Sequence, residues 1–170
     1  SILLTHPTRD LVGWVKSIDL MRYLEPEYLV PSHTRPIVGK ENINTLLTTY
    51  RDAIQFVHDQ TVRLMNLGLD PNEIAERLVL PKHLGDSPYL KEFYGTPEWS
   101  AKNVFSGYLG WFDGNPSSLK PLPLKDEAEK IIQLSGDWNS LFKVAEDAFL
   151  VNDFQWSLQP VSYTHLTLPT

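Results

Sequence analysis

The sequence predicts a mainly α-helical chain opened by a short α/β segment, and three observations carry that prediction. Apolar residues recur every three or four positions along most of the chain, the spacing of one helix face. Turns marked by proline and glycine divide those stretches, and several begin with the side chains that start helices. One short apolar run, Tyr28-Leu29-Val30, has the character of a strand.

From Asp10 to Tyr23, Leu11, Trp14, Val15, Ile18 and Met21 share one face of an amphipathic helix, which Pro26 ends. The run Tyr28-Leu29-Val30 follows as a buried strand. It opens into Pro31-Ser32-His33-Thr34-Arg35-Pro36, where two prolines in six residues demand an irregular loop. Helix, strand and polar loop in that order are α/β architecture. After Gly39 the character changes. Glu41 to Leu67 reads as one long helix with Ile43, Leu46, Leu47, Tyr50, Ile54, Val57, Leu64 and Leu67 on its stripe, and Gly68 as its carboxy-terminal cap. The heptad spacing of Ile43, Tyr50, Val57 and Leu64 allows packing on a partner helix, but polar interruptions make it too short for a coiled coil.

Asp70-Pro71-Asn72-Glu73 starts the next helix with a carboxylate cap, proline at the first position and a glutamate reaching back. Pro81 limits that helix. Thr96-Pro97-Glu98 repeats the start signal for a helix carrying Trp99, Val104, Phe105, Tyr108, Leu109 and Trp111, broken by Asp113-Gly114-Asn115-Pro116. Further helices are expected around Asp126 to Leu134, from Trp138 to Val151, and from Phe154 onward, the last pair capped by Ser135-Gly136-Asp137. Leu141 to Trp156 has the spacing of a tetratricopeptide-like hairpin, though a single copy lacks the neighbours such repeats stack on. The domain boundaries that follow are an α/β piece over residues 1–40 and a helical domain over 41–160.

Composition narrows the function. The formal charge of −6, with no cluster of lysine and arginine to offset it, argues against nucleic acid as a partner. The absence of cysteine removes disulfides, thiolate zinc sites and cysteine nucleophiles. No apolar run approaches the roughly 20 residues of a membrane span. Ser1-Ile2-Leu3-Leu4 has neither an initiator methionine nor a signal peptide, so the chain is expected to begin in mid-protein. Residues 161–170, from Val161 to Thr170, read like the translation of a sequencing-library adapter. They are set aside from the fold argument, His165 included.

Histidines are the first candidates for chemistry, as metal ligands and acid–base groups. His33 follows a strand directly and sits between two prolines, where an α/β fold places functional side chains. A loop histidine bonded to backbone satisfies the same spacing. His58, mid-helix beside Asp59, reads as a solvated or interface histidine, and His83, between Pro81 and Gly85, reads similarly. His6 precedes Pro7 in the amino-terminal stretch. No two histidines stand within a few residues of each other, whereas a zinc site takes three or four ligands, often with two close in sequence. Arg9 and Arg35 could grip an anion with their guanidinium forks, or form surface ion pairs.

Three stretches change this picture together. Arg9-Asp10 with Trp14, followed by Pro31-Ser32-His33-Thr34-Arg35-Pro36-Ile37-Val38-Gly39, resembles the end of the catalytic domain in alkyl sulfatases of the metallo-β-lactamase superfamily. His58-Asp59-Gln60-Thr61-Val62-Arg63-Leu64-Met65-Asn66-Leu67-Gly68, with Pro71-Asn72-Glu73-Ile74-Ala75, is similar to the opening of that family's helical dimerisation domain. Tyr94-Gly95-Thr96 and the more specific run Tyr108-Leu109-Gly110-Trp111-Phe112-Asp113-Gly114-Asn115-Pro116 match motifs deeper in the same domain. Order and spacing hold from about Arg9 to Trp156.

The resemblance implies that residues 1–40 end a metallo-β-lactamase-type αββα domain and that 41–160 form a homodimerising helical domain. It implies a binuclear zinc enzyme that cleaves alkyl sulfate esters to an alcohol and inorganic sulfate, with a metal-held water as attacker. His33 matches a late histidine ligand of the metal pair. Arg9 falls where the family keeps a basic or acid–base residue near the sulfate, and an arginine suits anion binding better than proton donation. Tyr94, Tyr108 and Trp111 are candidates for the substrate channel, with core packing as the other reading. The His-x-His-x-Asp-His ligand motif, the acidic ligands and a sterol-carrier-like domain of the family are not in this sequence, and Leu4 stands where relatives often place a sulfate-binding arginine. The chain by itself is therefore expected to be inactive. A non-catalytic helical interaction module is the alternative to a piece of a zinc hydrolase.

Overall fold

The fold is given by a computed structural model that describes residues 10–93 and 95–167, with side chains up to 163. Helix α1, Leu11–Tyr23, begins where Asp10 accepts the Gly13 N–H on its side chain. Strands β1, Tyr28–Leu29, and β2, Ile37–Val38, pair antiparallel with Tyr28 opposite Val38 and Leu29 opposite Ile37. The long helix α2 spans Lys40–Met65. Helices α3, Pro71–Arg77, and α4, Lys82–Gly85, are short, and α5 covers Pro97–Leu109. Helices α6, Leu124–Ser135, α7, Trp138–Leu150, and α8, Phe154–Thr167, complete the order. The mainly helical class is what the apolar spacing predicts.

The strand differs from its expectation. Tyr28 is exposed and Leu29 half-buried, so the run is no buried strand but one side of a two-residue hairpin. Its partner Ile37-Val38 lies beyond the two prolines, and Gly39 N–H continues the pairing by donating to Glu27 O at 2.9 Å. Periodicity cannot reveal a partner across a loop.

Two compact units are present, Ser1–Asn115 and Pro116–Thr170. In the first, α2 is the axis. One end packs Ile43, Leu47 and Ile54 with Leu11 and Ile18 of α1 and Val104 of α5. The other packs Val57 and Leu64 with Ile74 and Leu78 around α3 and with Ala101 and Phe105 of α5. An ion-pair network also ties α1 to α2, with Asp19 accepting from Arg22 at 2.9 Å and from Arg51 at 3.3 Å. The second unit packs α7 on α8 and α6 on α8, with Ala128, Leu141, Ala145 and Ala148 buried and Ser157 Oγ donating to Ala145 O at 2.9 Å.

Helix ends follow local chemistry. Gly68, at φ +82°, closes α2: its N–H donates to Met65 O, and Leu69 N–H donates to Leu64 O. That is a Schellman pattern, with Leu69 packed against the cluster that holds Leu64. Leu67 therefore lies outside α2 and is exposed, contrary to its expected place on the stripe. Likewise Gly110, at φ +90°, stops α5 one residue before Trp111, so that tryptophan leaves the helix. Helix α8 contains Pro160 and runs on to Thr167, across the boundary drawn at residue 160.

Candidate functional site

A polar arrangement that includes a histidine joins α2 to the end of α5. Ala101, Val104 and Phe105 seat α5 against α2, and Tyr108 follows on the same face one turn later. That places the Tyr108 hydroxyl 2.8 Å from His58 Nε2, with the two rings 5.8 Å apart. On its other side His58 Nδ1 lies 2.8 Å from Asp59 Oδ1. The second Asp59 oxygen accepts from Gln55 Nε2 at 3.3 Å. The His58 side chain is only 14% exposed, so it is an inter-helix group rather than a solvated one.

An ionised carboxylate can only accept, so His58 donates to Asp59 through Nδ1–H. In a neutral ring whose Nδ1–H points at Asp59, Nε2 is an acceptor and takes the Tyr108 hydroxyl proton. Sequence reading had flagged Tyr108, but not its partnership with His58. The adjacency of His58 and Asp59 was visible; a tyrosine 50 positions away was not.

The other expected site residues are scattered. His33 is exposed in the loop between β1 and β2 and makes no side-chain hydrogen bond to the described residues. Arg35 is exposed in the same loop. Trp111 is 68% exposed and meets Phe112 edge-on at 5.9 Å. Arg9 and Tyr94 lie outside the described residues, as does His6. A cleft of about 140 Å³ in the first unit is walled by Trp14, Tyr50, Ile54, Val57 and Tyr89, with Lys91 and Glu92 at its edge. Neither Tyr108 nor Trp111 lines it.

A zinc pair needs several oxygen or nitrogen donors converging on each ion. Among the described residues no three histidine or acidic side chains come together, and His33 offers one donor. These residues do not by themselves fit a binuclear zinc centre.

The second unit exposes several aromatic side chains. Phe142 and Phe149 stand two turns apart on α7, turned away from the buried row Leu141, Ala145 and Ala148. Phe149, 60% exposed, packs its ring on Phe154 at 5.6 Å, and Trp156 is exposed nearby in sequence. Single exposed apolar residues are ordinary, but aromatic residues at helical spacing mark an interaction face.

The second unit is thus a helical domain with small residues in its buried row and aromatic rings outside it. Residues 70–168 match the family described as alkyl sulfatase dimerisation, and the chain belongs to that family. It is 44% identical over 156 residues to a linear primary-alkylsulfatase of Pseudomonas sp. (strain ATCC 19151), covering 91% of this chain and 30% of that protein. It is 36% identical over 151 residues to the alkyl/aryl-sulfatase BDS1 of Saccharomyces cerevisiae (strain ATCC 204508 / S288c), covering 87% of this chain and 23% of the relative. The solved structure of the stereoselective inverting sec-alkylsulfatase Pisa1 from Pseudomonas sp. superposes with a TM-score of 0.85 at 29% identity, over 95% of this chain and 27% of that one. The chain thus spans less than a third of the length of these relatives.

Proposed function

We propose that this chain is part of a zinc-dependent alkyl sulfatase, and that the whole protein hydrolyses alkyl sulfate esters to an alcohol and inorganic sulfate. Similarity to alkylsulfatases over nine-tenths of the chain carries the reading, at 44% identity to one of them. In it, residues 1–40 end the metallo-β-lactamase-like catalytic domain and residues 41–160 form the dimerisation-type domain. Zinc is the cofactor, and His33 contributes one imidazole to ligands that other parts of the protein supply. His33 is exposed on its proline-bounded loop and does not line the cleft of the first unit, so the role rests on the family resemblance alone. Arg9 and Tyr94 are assigned to the substrate side with Tyr108 and Trp111. The isolated chain is inactive. Residues 161–170 are assigned to a library adapter although the family match runs to residue 168, and resequencing the coding DNA across codon 160 decides between the two.

The partner is a second copy of the chain. Family membership supports self-association, and the Phe142–Phe149–Phe154 face of the second unit is the surface assigned to it. A longer protein carrying these residues is expected to bind zinc and to release sulfate from a primary alkyl sulfate, with chelation abolishing turnover. A longer protein that is metal-free and equally active overturns the zinc assignment, and one that releases no sulfate overturns the sulfatase reading. A non-catalytic interaction module then remains, motivated by the same aromatic face.

A further inference from the structure

We infer that Asp59 and His58 commit the Tyr108 proton inward, leaving the oxygen of this partly exposed tyrosine as an acceptor for the hydroxyl of an alcohol and not as a ligand for sulfate. The inference rests on the alkyl sulfate reading for the identity of the alcohol, while the proton direction rests on the contacts of a neutral His58 ring with Asp59 and Tyr108. Three contacts line up in a row: Gln55 to Asp59 at 3.3 Å, His58 to Asp59 at 2.8 Å, and Tyr108 to His58 at 2.8 Å. With the ring neutral and protonated at Nδ1, each step points its proton toward the carboxylate.

The chemical consequence concerns the far side of Tyr108. A phenol has one proton and accepts through its oxygen lone pairs. With the proton held by Nε2, the 58%-exposed residue offers solvent nothing but acceptor capacity. Sulfate oxygens are acceptors too, so the two repel. An alcohol O–H or a water is the complement. Leu109 and Trp111, exposed and close by in sequence, add apolar surface of the kind an alkyl chain takes. Tyr108 is thereby placed on the alcohol side of a sulfate ester, and His58 and Asp59 are its positioning residues.

Asp59→Asn is the informative variant. An amide nitrogen can donate to Nδ1, which moves the ring proton to Nε2 and turns the Tyr108 hydroxyl outward as a donor. Asp59 is half-exposed, so the substitution leaves the core untouched. Nitrogen-15 spectra of the labelled 170-residue chain at neutral pH are expected to show His58 protonated at Nδ1 and bare at Nε2. D59N reverses this and D59E restores it. A wild-type ring protonated at Nε2, at either Nε2 alone or both nitrogens, overturns the inference, as does a tautomer indifferent to D59N. Titration with hexan-1-ol is expected to shift the Tyr108 ring signals, with inorganic sulfate shifting them only in D59N. A wild-type chain that responds to sulfate, or that ignores the alcohol, overturns the ligand assignment. Y108F is expected to lose the alcohol-dependent shift at His58. None of these readouts depends on turnover, so a longer protein without sulfatase activity would sink the proposed function separately.

Discussion

Asp70 shows how much one side chain decides. Its carboxylate accepts from the N–H groups of Asn72 and Glu73 at 2.8 and 2.9 Å, while Glu73 returns to the Asp70 N–H at 3.1 Å. All three donors are satisfied, and the motif is fully readable in the sequence. Asp70→Ala is expected to cost about 1 kcal/mol, read as a lower denaturant midpoint at unchanged slope. Asp137 does similar work for α7, and the bond from Ser140 N–H holds its carboxyl below the usual carboxylate range. A depressed folded value means the contribution is complete above the unfolded pKa and is lost as pH falls through the folded one. Helicity is therefore expected to fall below about pH 4. Asp137→Asn, which still caps without titrating, should show a smaller acid loss by circular dichroism. His58 stands apart, because nothing within its own segment announces Tyr108.

Helices carry the next level of argument. The stripe on α2 predicted most of its buried face: Ile43, Leu47, Ile54, Val57 and Leu64 are all inside. Thr61 is also fully buried, hidden from a purely apolar pattern because its hydroxyl donates to Val57 O at 2.7 Å. The end of α2 depends on Gly68. A methyl there would meet no atom within 4 Å, so the whole penalty of Gly68→Ala is conformational, from φ +82°. The expected loss is about 1 kcal/mol, measurable by chemical unfolding. Gly68→Asn should lose less, since asparagine tolerates the left-handed region, as Asn152 does at φ +62° after α7. An equal loss for both variants would contradict this account of the turn. Trp111 teaches the converse lesson: its place in the apolar pattern suggested helix, and the backbone at Gly110 ended α5 first.

At the scale of the molecule, the consequence to test is association. Phe149→Asp places a charge in the aromatic face of α7 while leaving Leu141, Ala145 and Ala148 in the buried row. Sedimentation velocity is expected to show the unmodified chain as a dimer and the variant shifted toward monomer by at least tenfold in dissociation constant, about 1.4 kcal/mol. Unchanged sedimentation of a folded variant would move the interface elsewhere. A matching effect for Phe142→Asp, two turns away, would place both rings in one contact.

Starts and stops of helices were legible because they are settled within four residues: Asp10, Asp70, Thr96 and Asp137 each cap the helix they precede. The family likeness was equally local, carried by contiguous runs such as Tyr108 to Pro116. Only the tertiary structure decided that Ile37-Val38 returns to pair with Tyr28-Leu29, and that Tyr108 meets His58 across 50 residues. Such partnerships depend on which helix faces another, and packing geometry, not spacing along the chain, sets that.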